Sequence, residues 1–322
     1  MTISTLLLKK KEPCGINLFN VNLTNSLKKH NVQTNDFSII QNIKSSSKIL
    51  IFHYVPSLYK NYSKEITQIF NDNLNIISII HGIYPNGKFN YMGDTVNENH
   101  KSQLDTIVSN SKALVFLSHS THKVFKKWYP KIQFTKDFVL MHPGVNQSVL
   151  ISESTANNDY VFIGGIKRLK KDFESESIRK MLISLQKIGI KVLLHSSNSY
   201  LSKEMQNLVW KISQGELTRK KWNEVIKNAK IILCPYFTEI QTVSGIISEG
   251  ISCGKKIIST RFPFALEISN SYSNYIIINN DLNNWPDIIS DVWNEELKIP
   301  HYPDWNYFTS ELLKIIKRLP IE

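Results

Sequence analysis

Short apolar runs rich in β-branched residues alternate along the chain with longer stretches whose apolar positions recur every three to four residues. A run of about five apolar residues fits a buried strand, and the 3.6-residue recurrence fits a helix with one buried face. In the first half, strands are predicted at Ile3–Leu8, Phe37–Ile40, Ile49–Tyr54, Ile76–Ile80, Ala113–Leu117 and Phe138–Met141. Helices are predicted near Ile16–Lys29, Lys64–Asn71, Ser102–Ser109 and Thr121–Trp128. A polar stretch without periodicity, Asn146 to Asn158, reads as a linker. Beyond it, strands are predicted at Tyr160–Ile163, Lys191–His195, Ile231–Cys234, Lys256–Ser259 and Tyr275–Ile278. The accompanying helices fall near Ser175–Lys187, Ser202–Ile212, Arg219–Asn228, Ser244–Cys253 and Trp285–Asn294, with a last one at Tyr307–Leu319.

Strands that alternate with helices call for parallel sheets covered on both faces. The expected fold class is therefore α/β, with a first Rossmann-like domain over residues 1–150 and a second over 159–303. The terminal stretch 304–322 is a separate helix. Two open α/β sheets place a ligand at the carboxyl ends of their strands, and the expectation is a cleft between the domains.

The composition narrows the class without naming the chemistry. The 322 residues are 42% hydrophobic and 20% charged, as expected of a globular protein. No apolar run reaches the roughly 18 residues that a membrane span needs. The apolar stretch near the N-terminus is too short for a signal peptide, and Lys9, Lys10 and Lys11 follow it rather than precede it. Cys14, Cys234 and Cys253 have neither disulfide nor zinc spacing, which points to a reduced, cytoplasmic setting. The formal net charge of +12 favours anionic partners such as nucleotide phosphates, acidic lipid or nucleic acid. An Asn-, Lys- and Ile-rich composition also follows from AT-rich coding, which raises lysine for no functional reason.

Two stretches carry the stronger chemistry. In "YVFIGGIKRLKK" a buried strand runs into Gly164 and Gly165, and Lys167, Arg168, Lys170 and Lys171 follow. Glycine allows close backbone approach to a ligand, and cations neutralise a diphosphate. A tight turn followed by a solvated basic face is the plainer alternative. In "EIQTVSGIISEGISCGKKIIST", Thr242, Val243, Ser244 and Gly245 lie where a helix exposes its first amides. Those amides and the helix dipole make an anion site. Glu249 sits one turn further in, where an acid can accept the two hydroxyls of a ribose; a solvent-facing or capping glutamate is the alternative. Arg261, after the next strand, is a further candidate cation.

The first half offers Gly15, between strand and helix, and histidines that end strands. His81, in "IISIIHGIYPNG", is placed to touch a sugar. His53 and His142 are each as readily structural. The stretch Ser120 to Lys131 mixes cations with aromatics and fits either an anionic membrane surface or ordinary core and surface. The signatures GxxxxGK[ST], GxGxxG, GxSxG and HExxH are absent, and so is an Asp-x-Asp that would hold a metal-bound nucleotide sugar.

"FIGGIKRLKK", "ISQGELTRKKWNEVIKNAKIILCPYFTE" and "QTVSGIISEGISCGKKIISTRFPFALEI" occur in this order. Together they resemble the donor-binding domain of GT-B glycosyltransferases, in particular the retaining family 4 group. The resemblance is specific over about residues 160–268. In the first half it rests on "CGI", "IIHGIYP" and "VLMHPGV". It implies two Rossmann-like domains, a nucleoside-diphosphate sugar (UDP- or GDP-linked) bound mostly by the second, and an acceptor bound by the first. It also implies that the last helix crosses back to the first domain.

By position, the resemblance gives Lys167 and Lys170 to the diphosphate; a one-residue shift would choose Arg168 and Lys171 instead. Glu249 matches the ribose-binding second acid of the family's acid pair. Gln241 stands where the first acid is expected, a departure that removes a charge from the sugar contact. Glu239 lies two residues earlier. His81 resembles the cleft histidine that meets the donor sugar. The implied reaction needs neither metal nor cofactor, since fixed cations and helix amides stabilise the departing diphosphate. Proposed acceptors are a glycan, a lipid-linked sugar or a protein. Alternatives are a glycosyltransferase that modifies viral or phage DNA, a non-catalytic nucleotide-sugar binder, and an epimerase of similar fold.

Overall fold

A computed structural model describes residues 2–6, 15–37, 49–55, 63–72, 75–83, 90–91, 94–95, 99–131, 136–146, 159–164, 175–196, 202–214, 217–236 and 243–320. The chain divides into two units. One comprises Met1–His142 with Trp305–Glu322, and the other Pro143–Asp304.

The first unit runs β1 (Thr2–Leu6), α1 (Gly15–Lys29), β2 (Gln33–Phe37), β3 (Ile49–Tyr54), α2 (Ser63–Asp72), β4 (Ile76–Ile80), the short pair β5 (Asn90–Tyr91) and β6 (Asp94–Thr95), α3 (Asn99–Asn110), β7 (Ala113–Phe116), α4 (His119–Trp128) and β8 (Asp137–Val139). Six of these strands form one parallel sheet in the order β2-β1-β3-β4-β7-β8. The central strands β3, β4 and β7 are buried at every position. Continuous burial is why they read as unbroken apolar runs rather than alternating ones. Phe52, Phe70, Phe116 and Phe125 anchor a core between this sheet and its helices.

The second unit runs β9 (Tyr160–Ile163), α5 (Glu176–Lys187), β10 (Lys191–Ser196), α6 (Lys203–Asn207), β11 (Lys211–Gln214), α7 (Arg219–Asn228), β12 (Ile231–Cys234), α8 (Gly245–Ser252), β13 (Lys256–Ser259), α9 (Pro263–Ser271), β14 (Ile276–Ile278), a 3-10 turn at Leu282–Asn284 and α10 (Trp285–Val292). Its six strands are parallel, ordered β11-β10-β9-β12-β13-β14. The chain starts in the middle, winds outward one way, then returns to the centre and winds the other way. That is the doubly wound Rossmann order, whose ligand crevice opens where the winding reverses, here between β9 and β12. On α5 the spacing of Ile178, Met181, Leu182 and Leu185 puts all four in the core. Each is worth about 1.5–3 kcal/mol against exposure. The last helix, α11 (Trp305–Arg318), belongs to the first unit. Ser26 on α1 donates to the Trp305 carbonyl and accepts from the Thr309 hydroxyl at 2.8 Å.

Two parallel six-stranded sheets, each clothed in helices, are the two-Rossmann-like-domain plan of GT-B proteins. Three elements depart from the sequence reading. The second strand covers Gln33–Phe37 and so starts earlier than the expected Phe37–Ile40, whose residues after Phe37 lie outside the described ones; this polar edge strand is fixed by its parallel ladder to β1 and not by its own hydrophobicity. The helix expected over Ser202–Ile212 ends at Asn207, and Lys211–Gln214 joins the sheet beside β10. The segment after Arg261 forms α9, whose Pro263 occupies the first helical turn. There proline starts a helix instead of breaking one.

Candidate functional site

The winding reversal of the second sheet brings together stretches some eighty residues apart. β9 ends at Ile163, and the buried Gly164 follows. Just past β12, the Tyr236 hydroxyl donates to the Gly164 carbonyl at 3.1 Å. A Cβ on Gly164 would lie 2.9 Å from both Ile246 Cδ1, in the first turn of α8, and a ring carbon of Phe162. Gly164 thus lets the strand end and the helix start touch.

Helix α8 opens with Ser244 in extended backbone, and no side chain caps it. Its first turn carries no acid. Ser244 is buried, with its carbonyl already accepting from the Ser248 amide, while Val243 and Gly245 are partly exposed. Ser244 thus offers the leading helix amides no side-chain acceptor, and the dipole adds a partial positive charge there. Such an end suits a phosphate. The helix lies close against the sheet because Gly250 has no side chain: a Cβ there would meet Ile232 Cδ1 at 2.6 Å. Gly254, at φ +68°, closes the helix, with its amide bonded to the Ile251 carbonyl and the Lys255 amide to the Gly250 carbonyl. This is a Schellman cap, and it accounts for the Gly-Lys-Lys that follows the helix.

Glu249 is 7% exposed, neither solvent-facing nor a cap. Arg219 donates to one carboxylate oxygen and the Trp222 indole N–H to the other, each at 2.5 Å. Both partners lie one turn apart at the start of α7, after the N-cap Thr218. Each carboxylate oxygen keeps a second lone pair, so a ribose hydroxyl can be accepted beside them. Trp222 stands edge-on to Phe162 and His195, at ring separations of 5.7 and 5.4 Å. His195 is the penultimate residue of β10; burial holds its imidazole below the ordinary range, and its Nδ1 is buried without a hydrogen-bond partner among the described residues. The sequence reading gave no role to Arg219, Trp222 or His195. The i, i+3 spacing of Arg219 and Trp222 behind a capping threonine was a usable signal that they share a helix face.

The rest of α8 is held in place. Tyr302 donates to Ser248 Oγ at 2.9 Å, and the Val145 amide donates to Ser252 Oγ at 2.8 Å. Burial raises the thiols of Cys234 and Cys253 to about 12, which leaves neither as a thiolate nucleophile at neutral pH.

In the first unit, Gly15 is the first residue of α1. Further along that helix, Phe19 presents its ring to three histidines, at 5.8 Å from His53, 4.8 Å from His81 and 5.3 Å from His142. His53 lies on β3 and is fully buried; His81 immediately follows β4 and is partly exposed. His53 Nδ1 and His81 Nε2 are 3.1 Å apart, and the His81 amide donates to the Tyr54 carbonyl. Burial lowers the His53 imidazole to about 3. Burial also lowers His81 well below the ordinary range, with smaller contributions from His53 and His142. Both are therefore neutral at pH 7.

The structure thus places Gly164, Val243, Ser244, Gly245 and Glu249 around the winding reversal of one sheet, and Gly15 and His81 in the other unit. Gly165, Lys167, Arg168, Lys170, Lys171, Gln241 and Thr242 lie outside the described residues, as does Glu239. Among the described residues no three His, Cys, Asp or Glu side chains gather as a metal site would require. No helix described is long and apolar enough to cross a membrane.

No family model matches the chain, and no curated protein matches it. Solved structures do. The E. coli trehalose-6-phosphate protein bound with UDP-2-fluoro glucose superposes with a TM-score of 0.63 at 9% identity, over 100% of each chain. The Methanocaldococcus jannaschii UDP-GlcNAc 2-epimerase in complex with UDP-GlcNAc and UDP gives 0.57 at 11% identity, over 98% of this chain and 99% of its own. An alpha-glucosyltransferase in complex with UDP and a 13-mer DNA gives 0.51 at 11% identity, over 99% and 100%. These likenesses fix the fold.

Proposed function

We propose that the chain is a glycosyltransferase that moves a sugar from a nucleoside-diphosphate sugar to an acceptor, with retention of configuration and without a metal. The observation that carries this reading is the uncapped, acid-free start of α8 at the winding reversal of the second sheet, with the buried Glu249 one turn inside. Phosphates meet the amides of Val243, Ser244 and Gly245, and Glu249 accepts the ribose hydroxyls. Lys167 and Lys170, or Arg168 and Lys171, neutralise the diphosphate. Preorganised amides and cations stabilise the charge that builds on the leaving diphosphate. The departing phosphate oxygen then takes the proton of the attacking hydroxyl on the same face. Gln241 hydrogen-bonds the sugar without adding a charge. His81, a neutral imidazole, hydrogen-bonds a sugar. Structures of the same fold with UDP or a UDP-sugar bound support a nucleotide-sugar donor.

The acceptor is a glycan, a lipid-linked sugar or a protein. A DNA acceptor is a second reading, supported by the +12 net charge and by the DNA-bound neighbour. Donor turnover is the test. UDP-, GDP- and ADP-sugars are each incubated with the protein, with and without duplex DNA, and the released nucleoside diphosphate is measured. Release from at least one donor is expected. Release that depends on DNA and collapses with added salt selects the second reading. No release from any donor under any condition overturns both.

A further inference from the structure

The histidine pair of the first unit has a feature that a sugar contact by His81 alone does not require. Its second member, His53, is fully buried in the central strand β3 and touches His81 through ring nitrogens. A histidine in mid-core is costly unless a partner satisfies it. An isoleucine or leucine, as at Ile51 and Leu50 beside it, would pack there at no such cost.

We propose that His53 is a positioning residue that locks His81 in one neutral tautomer for its contact with a sugar. The assignment rests on the glycosyltransferase reading above. Across 3.1 Å between two neutral imidazoles there is room for one proton. If His53 Nδ1 carries it, His81 Nε2 accepts and His81 Nδ1 must bear the N–H. If His81 Nε2 carries it, His81 Nδ1 is a bare acceptor. Either way the character of His81's remaining nitrogen is dictated by His53, as the third member of a catalytic triad dictates the tautomer of its histidine. Phe19 holds both rings edge-on, so neither turns without disturbing the other.

Neutrality matters as much as the tautomer. Positive charge develops on the sugar ring as a glycosidic bond breaks. An imidazolium at His81 would oppose that charge, whereas a neutral imidazole can hydrogen-bond the sugar without doing so. The titratable groups that act on His81 among the described residues are His53 and His142. Both oppose its protonation, and burial acts in the same direction.

The test reads the ring nitrogens directly. Protein labelled with 15N-histidine is examined by long-range proton–nitrogen correlation from pH 5.5 to 8, without any nucleotide. Wild-type His81 is expected to show one neutral tautomer throughout. His53→Phe keeps the aromatic bulk and removes the nitrogen; His81 should then sample both tautomers while staying neutral, because burial still opposes its protonation. His53→Asn, which restores a polar atom near the Nδ1 position, should return the wild-type pattern. In donor hydrolysis with the sugar nucleotide that the wild type uses best, His53→Phe should lose kcat by about tenfold at every pH from 6 to 8, the size of a general hydrogen-bonding contribution, with KM little changed. His53→Asn should recover the wild-type kcat. A wild-type His81 that already exchanges between tautomers overturns the proposal. So does a His81 that stays in one neutral form in His53→Phe. If no nucleotide sugar is turned over at all, the functional reading fails, while the nitrogen spectra still decide the pair.

Discussion

The two sheets of this protein share strand number and parallel direction, yet they arm their carboxyl ends in opposite ways. The second sheet gathers charge: an uncapped helix start, and a glutamate gripped by an arginine and a tryptophan. The first gathers neutral rings: two hydrogen-bonded histidines, both held uncharged by burial, around one phenylalanine. A diphosphate needs fixed positive charge, whereas a sugar that becomes electron-poor is served better by neutral hydrogen-bonding groups. One architecture thus supports two electrostatic regimes, set by a handful of residues at strand ends.

The largest expected effect breaks the charged side. Glu249→Ala leaves Arg219 and the Trp222 N–H facing a void where their acceptor was. Removing one partner of a buried ion pair costs about 3 kcal/mol or more. Side-chain exposures of 9% for Glu249 and 24% for Arg219 place this pair in that regime. Urea unfolding of the variant should show that loss, and Glu249→Gln a smaller one. The same truncation on the neutral side, His81→Ala, should cost turnover and a smaller share of stability, because it takes a neutral hydrogen-bond partner from His53 rather than breaking an ion pair. Equal stability losses for the two truncations would erase the contrast.

A second, smaller effect sharpens it. Gly164→Ala forces Ile246 and Phe162 to yield, at a cost of about 1–2 kcal/mol for a methyl in a packed site. Since Ile246 is in the first turn of α8, nucleotide affinity should fall together with stability. A Gly164→Ala protein that unfolds earlier but binds nucleotide with unchanged affinity would separate the strand end from the anion site.

The third effect lies on the neutral side and depends on pH. His53 titrates near 3 when folded and near 6.5 when unfolded, so between those values the unfolded chain binds the extra proton. The stability contribution is complete above about pH 6.5 and is lost as the pH falls, by about 1.4 kcal/mol per unit. Melting temperature followed from pH 7 to pH 5 should therefore drop more in the wild type than in His53→Phe. Parallel curves would show that His53 is not the group responsible.

Much of this was legible in the sequence because it is local. The central strands announce themselves as apolar runs, and the start of α8 does so by Ser-Gly ahead of an apolar helix. What escaped the reading depends on partners distant in sequence. The edge strands Gln33–Phe37 and Lys211–Gln214 are polar and exist because β1 and β10 offer them a ladder. The clamp on Glu249 comes from a helix about thirty residues earlier, and the partner of His81 from a strand nearly as far back. A resemblance carried residue by residue points to Glu249 and His81, but not to Arg219, Trp222 or His53, which stand out only by what they touch. The helix after Arg261 was not among those expected, and it begins at Pro263, where the ring suits a first helical turn.

The central claim is that a nucleoside diphosphate rests on the start of α8. Calorimetric titration of UDP, GDP and ADP into the wild type, Gly245→Asp and Lys170→Ala tests it most directly. An aspartate at the first helical position favours the helix itself, so lost binding in that variant would not reflect lost structure. At least one diphosphate should bind the wild type, and each substitution should weaken it by about tenfold or more, roughly 1.4 kcal/mol. No binding by any of the three, or an unchanged affinity with a carboxylate planted at Gly245, would contradict the account.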